Sequence, residues 1–148
     1  MNRAEFIAIC DRKVKLVRAE HSFSQERMAY ILGISKKTLV EIEKGRSSLG
    51  WTGSAALCAI FGDSEVIASS FGGRPTEIIL ALAFEGGEPL PAAAAAAGRI
   101  WWQTVSEAGG YTIQQNIISQ HYRLTDSDGR RVASSFNLED LQDFMTEE

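Results

Sequence analysis

Residues 24–46, SQERMAYILGISKKTLVEIEKGR, carry the same helix-opening grammar twice in close succession, and this repetition constrains the chain more than any other feature. Ser24 offers an oxygen to the N–H groups that open a helix, and Phe23 and Met28 are spaced as a hydrophobic staple around it. Ser35 repeats the cap, with Ile34 and Leu39 as the second staple pair. Gly33 between the two units supplies the backbone freedom of a tight turn, and Gly45 ends the second helix. Two short helices joined by a glycine turn read as a helix-turn-helix.

The spacing sorts the second helix into two faces. Leu39 and Ile42 lie three apart and turn toward a core, whereas Lys36, Lys37, Val40 and Glu41 fall on the other side. A major groove admits one helix, and the N-terminal residues of such a helix meet base edges. Lysines donate to guanine acceptors or phosphate, Glu41 can accept from cytosine, and Val40 can touch a thymine methyl. The Arg46-Ser47-Ser48 loop that follows offers a cation, hydroxyls and N–H groups to phosphate oxygens, contacts that set register without reading sequence.

This arrangement resembles the Cro and phage-repressor type of helix-turn-helix, often called the XRE family, over residues 10–62. Gln25 stands where that family has a glutamine contacting the DNA backbone, and Gly33 where it has the turn glycine. Ser35, Lys36, Lys37, Val40 and Glu41 stand at its cap and base-reading positions. Glu43 matches a glutamate that pairs with an arginine of the preceding helix, for which Arg18 is in register, and Gly45-Arg46 matches the small residue and backbone-contacting cation that follow. Val40 and Glu41 depart from the pattern, because an acid on the groove face repels phosphate unless it finds a cytosine. The resemblance implies base reading by Lys36, Lys37, Val40 and Glu41, with Gln25, Thr38, Lys44, Arg46 and Ser47 on the backbone and Arg18–Glu43 as a structural ion pair.

Charge is divided unevenly along the chain. The net charge is −4, yet residues 1–46 carry ten Lys plus Arg against six Asp plus Glu, a net +4, and residues 47–148 carry five against thirteen, a net −8. A basic N-terminal unit on an acidic body suits groove binding by one part and protein contacts by the other; an ordinary uneven surface is the plainer account. No run of eighteen apolar residues marks a membrane span, and the N-terminus lacks a secretory layout, so a cytoplasmic protein is expected. Cys10 and Cys58 read as small core residues in a reducing compartment.

The remaining elements follow from pattern. Asn2 and Glu5 have capping-box spacing ahead of a long first helix, whose Phe6, Ile7, Cys10, Val14 and Val17 form an inward stripe. Ser54 or a nearby residue is expected to open a fourth helix through Phe61, with Leu57, Ile60 and Phe61 inward; 63–71 makes a fifth with Val66, Ile67 and Phe71. Trp51 is read as packing over this core. Pro75 starts a helix over 76–83 that is apolar on almost every side and needs cover from the C-terminal part or a second subunit. The alanine run at 92–97 reads as helix or linker.

From Ile100 the period becomes alternating. Strands over 100–106, 111–119, 120–125 and 130–136, separated by Glu107–Gly110 and Asp126–Gly129 turns, predict an antiparallel meander. Asn137 caps a last helix with Leu138, Leu141 and Phe144 inward. The expected fold class is α+β, with a five-helix N-terminal domain at 1–72 and a meander with flanking helices at 73–148. His121 has no ligand-spaced partner, Ser134-Ser135 lacks a nucleophile setting, and Asp126-Ser127-Asp128-Gly129 lacks the later glutamate of a calcium loop. No enzyme activity, metal or cofactor is expected. Ile79, Leu82, Trp101 and Trp102 are the candidates for a homodimer interface, with one tryptophan in the sheet core and the other at the interface. The two tryptophans with Tyr111 alternatively line a small-molecule pocket.

The reading is a sequence-specific DNA-binding regulator that recognises an inverted repeat as a homodimer. Its alternatives are an antitoxin-like regulator whose C-terminal half binds a protein partner, and an interaction module that binds no DNA.

Overall fold

The computed structural model describes residues 1–84, 86–87 and 101–146. The chain is α+β: among the described residues six helices precede a four-stranded antiparallel sheet and a final helix. It divides into two compact units, Met1–Leu90 and Pro91–Glu148. The alanine run at 92–97 and Ile100 lie outside the described residues.

The first unit is organised by α1 (Arg3–Glu20), opened by the complete Asn2–Glu5 capping box. Its Phe6, Cys10, Val14 and Val17 are fully buried, the stripe expected from their three- and four-residue spacing. They pack with Met28 of α2 (Gln25–Leu32), Leu39 and Ile42 of α3 (Lys36–Glu43), Leu57 and Cys58 of α4 (Gly50–Ile60), and Ile67 of α5 (Glu65–Phe71). The Cys10 and Cys58 sulfurs sit 3.9 Å apart as free thiols. Their mutual contact and burial push the Cys58 thiol well above its ordinary value, so both groups act as small core side chains. Trp51 packs edge-on against Phe6 with the Arg3 guanidinium 4.4 Å above its ring, in keeping with a packing role.

Two helix starts are set by carboxylates of α1 rather than by neighbours in sequence. The Asp11 Oδ1 accepts the Leu49 N–H at 2.7 Å and Ser48 Oγ accepts that of Gly50, so α4 begins at Gly50 and not at Ser54. Glu20 accepts the Ser64 hydroxyl and the Glu65 and Val66 N–H groups at the head of α5, where the helix dipole favours an anion. Those bonds, the Ser64 hydroxyl first, hold the Glu20 carboxyl below its ordinary range. The earlier start of α4 turns Ser54 into a buried mid-helix residue and leaves Ile60 half exposed instead of inward. Ser54 Oγ finds no oxygen or nitrogen partner among the described residues, its polar neighbour being the weakly bonding Cys10 thiol. Ser54→Ala is therefore expected to raise stability by up to about 1 kcal/mol. The check is a urea melt, and a lowered midpoint would show that the hydroxyl is satisfied.

Helix α6 (Thr76–Ala83) corrects the expected boundary at residue 72. Its Ile78, Ile79 and Leu82 pack against the first unit's own core, and Arg3 Nε donates to Leu82 O at 3.1 Å. That contact covers one side of the apolar helix; none of its residues is fully buried, and Leu80 stays 40% exposed. Ile79 and Leu82, expected as dimer-interface candidates, are half-buried against this core. Among the described residues no single helix is long and apolar enough to cross a membrane.

In the second unit, β1 (Trp102–Ala108), β2 (Tyr111–Asn116), β3 (Tyr122–Thr125) and β4 (Arg131–Ser135) pair as an antiparallel meander in chain order. Gly109 and Gly110 alone connect β1 to β2, with φ of 58° and 80°. Positive φ at both central residues is the hairpin geometry whose twist matches the strands, so the turn is two residues shorter than expected. Strand β2 stops at Asn116, short of 119, because the Asn116 Oδ1 accepts the Ile118 and Ser119 N–H groups and diverts the backbone into a turn. Ile117 and Ile118 are left exposed there. The Asp126 Oδ1 organises the β3–β4 turn in the same manner, accepting from the Asp128 and Arg130 N–H groups at 2.9 Å.

One face of this sheet is covered by α7 (Leu138–Thr146), which lies against β3 and β4. Asn137 Oδ1 accepts the Glu139 N–H at its head, as expected of a cap. Ile113, Leu124 and Leu141 form the core between them, flanked by Tyr111, Tyr122, Ala133, Leu138 and Met145. Met145 takes the inward place expected of Phe144, which is half exposed. The opposite face carries Glu107, Thr112, Thr125 and Arg131 in one row across the four strands. A second row on that face brings together Trp102, His121 and Phe136, with centroids 5.0 and 5.8 Å apart. Neither tryptophan belongs to the sheet core: Trp101 precedes β1 and is partly exposed, and Trp102 lies under the Arg123 guanidinium at 3.8 Å. The core selects the face on which Tyr111 and Ile113 alternate, and Trp102 is in the other register. Trp102 and Tyr111 thus fall on opposite faces and do not line a common pocket.

Candidate nucleic-acid interface

Helix α3 is held by its apolar side and presents its polar side outward. Leu39 and Ile42 are 0% and 2% exposed, whereas Lys36 and Lys37 in the first turn are exposed and Val40 and Glu41 are half-buried. Ser35 Oγ accepts the Thr38 N–H at 3.0 Å and lies 2.8 Å from the Thr38 hydroxyl, so Thr38 is engaged in the cap. Gly33, with φ of 72°, makes the sharp passage from α2 into this cap, a conformation that a Cβ disfavours.

A three-residue brace fixes α3 to the rest of the unit. Arg18 of α1 donates to Glu43 through Nε at 2.6 Å and Nη2 at 3.4 Å, and through Nη1 to Phe23 O at 3.1 Å. Gln25 Nε2 donates to the second Glu43 oxygen at 2.6 Å. Burial pushes the Glu43 carboxyl up, but the bonds from Arg18 and Gln25 and the charges of Arg18 and Lys15 outweigh it and hold the group below its ordinary range. The pairing of Arg18 with Glu43 is the one expected. Gln25 was expected on the DNA backbone, and in the structure one N–H of its amide joins the brace.

Two further pairs lie on the outward side. Lys36 meets Glu26 of α2, and Arg46 forms a two-pronged bond to Glu41 at 2.9 and 3.0 Å. The Arg46 N–H returns to Glu41 O at 2.8 Å as α3 ends, which folds the chain back and carries the guanidinium over the carboxylate. Both acids are held below their ordinary range, in each case chiefly by the bond to the cation. Pairs this exposed contribute little to stability and exchange readily for other anions. Glu41, the residue expected to repel phosphate, is thus neutralised by its own neighbour. Glu26 had no sequence signal, since its partner lies on the next helix at no fixed spacing.

Lys37, Lys44 and Ser47 are exposed, and among the described residues neither lysine has an ion-pair partner. Two lysines in the first turn of a helix oppose its dipole, at a cost of a few tenths to about 1 kcal/mol each. Glu26 offsets that cost for Lys36 and nothing offsets it for Lys37, an arrangement that an external anion relieves. Predicted site residues 36, 37, 40, 41, 44, 46 and 47 therefore share one flank of the α3 region, while Gln25 and Thr38 are turned to internal bonds. Tyr30, 79% exposed on α2 with the Arg27 guanidinium 5.8 Å from its ring, adds an aromatic surface that the sequence reading passed over.

No protein-family model matches the chain, and neither a curated protein nor a solved structure matches it significantly.

Proposed function

We propose that the chain binds double-stranded DNA sequence-specifically as a transcriptional regulator of the Cro and phage-repressor type, acting as a homodimer on an inverted repeat in the cytoplasm. The observation that carries this reading is the outward flank of α3: a braced helix whose buried side is apolar and whose first turn holds Lys36 and Lys37 against the dipole. Lys36 and Lys37 read base edges, with Val40 and Glu41 setting preference beside them. Lys44, Arg46 and Ser47 grip the sugar-phosphate backbone. Two modules related by a twofold axis, their helices about 34 Å apart, would reach successive major-groove faces and give an interface that one module lacks. The acidic second unit leaves the duplex to the basic stretch 1–46 within the first one. Blocking of a promoter is the simplest output.

The test is selection of duplexes from a random pool, followed by titration of the winner and of a scrambled duplex at several salt concentrations. Lys37→Ala is the clean probe of base reading, because its removal breaks no internal pair. It is expected to cost about 1–3 kcal/mol on the selected duplex and much less on the scrambled one. Arg46→Ala, which also frees Glu41 from its ion pair, is expected to weaken both duplexes and to reduce the salt slope by about 1 or more. Absence of any salt-dependent association would contradict the reading and favour a module that binds protein alone. Equal losses on both duplexes for both variants would remove base reading from Lys37.

A further inference from the structure

Resting on the homodimer reading above, we propose that a second copy of this chain docks on the sheet face opposite α7, with Glu107 of one copy set against Arg131 of the other. The inner sides of the other candidates are engaged, α6 with Ile78, Ile79 and Leu82 on the first unit's core and α7 with Leu141 on the opposite sheet face, while Leu80 and Phe144 on their outer sides are 40% and 50% exposed. The docking face exposes apolar side chains on or beside its strands, with Val132 47% and Phe136 79% exposed.

The pattern on this face is self-complementary. Glu107 on β1 and Arg131 on β4 end the same transverse row, separated by three strand spacings of about 4.8 Å each, too far to meet within one copy. Among the described residues neither has an ion-pair partner. A twofold axis lying between two facing sheets and running along their strands carries β1 of one copy over β4 of the other. That single operation sets Glu107 against Arg131 twice, and at the other end of the strands it brings Phe136 over the Trp102 position of the other copy, where the Arg123 guanidinium lies on the ring. Isologous contacts of this kind are what a closed dimer requires. The face is small, roughly 14 Å by 17 Å of sheet or about 240 Å² per copy, well below the roughly 800 Å² per partner of a standard specific interface, so the dimer is expected to be weak and to dissociate on dilution.

Sedimentation equilibrium of the full chain over a range of concentrations tests this, with Glu107→Arg, Arg131→Glu and the double variant. Both residues are exposed, and all three variants are expected to keep the wild-type thermal transition. Each single reversal places like charges in contact and is expected to weaken dimerisation about tenfold or more. The double variant is expected to return to within about threefold of wild type. Singles that leave the dimer unchanged, or a double no tighter than the singles, would move the interface elsewhere while the homodimer stands. A wild-type chain that remains monomeric throughout would overturn both the interface and the homodimer, leaving DNA contact by one module to be judged by the duplex titrations.

Discussion

Glu43→Ala is expected to cost the first unit about 3 kcal/mol, the lower end of the range for breaking a buried ion pair by removing one partner. The Glu43 side chain is 4% exposed and that of Arg18 19%, so the abandoned guanidinium retains some access to water along with its bond to Phe23 O. Loss of the carboxylate also strips Gln25 of its acceptor, so three elements lose one shared anchor. The check is urea denaturation followed by the far-ultraviolet helix signal, and an unchanged midpoint would show the brace to be incidental. The same brace gives the unit an acid limb. Because the folded-state pKa of Glu43 is held below its unfolded value, its stabilisation is complete above the unfolded value and is lost as pH falls through the folded one. Glu43→Gln is accordingly expected to differ most from wild type near neutrality and least at low pH. An equal difference at both would remove the charge from the account.

Leu141→Ala is expected to have the second large effect, confined to the other unit. Full truncation of a buried leucine costs about 2–5 kcal/mol. Here it removes one of the three core side chains buried between the sheet and α7, in a unit small enough that little stability stands in reserve. The sheet unit is expected to lose its fixed packing while the helical unit melts at its former midpoint. Near-ultraviolet dichroism of the Trp101 and Trp102 region, read beside the helix signal, separates the two transitions. A single shared transition that moves as a whole would show that the units fold together.

Residues that act through near neighbours in sequence were more legible than those that act through the fold. Ser24, Ser35, the Asn2–Glu5 box and the buried stripe of α1 were legible because each rests on contacts within one or two helical turns. The meander was legible from alternation and glycine turns. The start of α4 was not, because its acceptor is Asp11, brought in by tertiary packing from α1. The end of β2 turned on a side chain of Asn116 competing for its own backbone, a choice that alternation does not encode. Helix α6 was apolar on nearly all sides, so its pattern gave no direction, and packing on the first unit's core supplied one. Within the candidate interface, the faces of α3 and the Arg18–Glu43 pair were readable from spacing and resemblance. The Lys36–Glu26 and Arg46–Glu41 pairs were not, since long side chains on different elements choose partners only once the fold has placed them. They alter the expected effect of substitution: removing Arg46 also releases Glu41 as an uncompensated acid beside the groove.

The central claim is that the outward flank of α3 enters a major groove, and amide chemical shifts of the isotopically labelled chain titrated with its selected duplex report on it residue by residue. The largest shifts are expected within residues 35–47, with the sheet resonances unmoved. Shifts concentrated in the sheet or α7 while 35–47 stay in place, or no shifts at all at low salt, would contradict it.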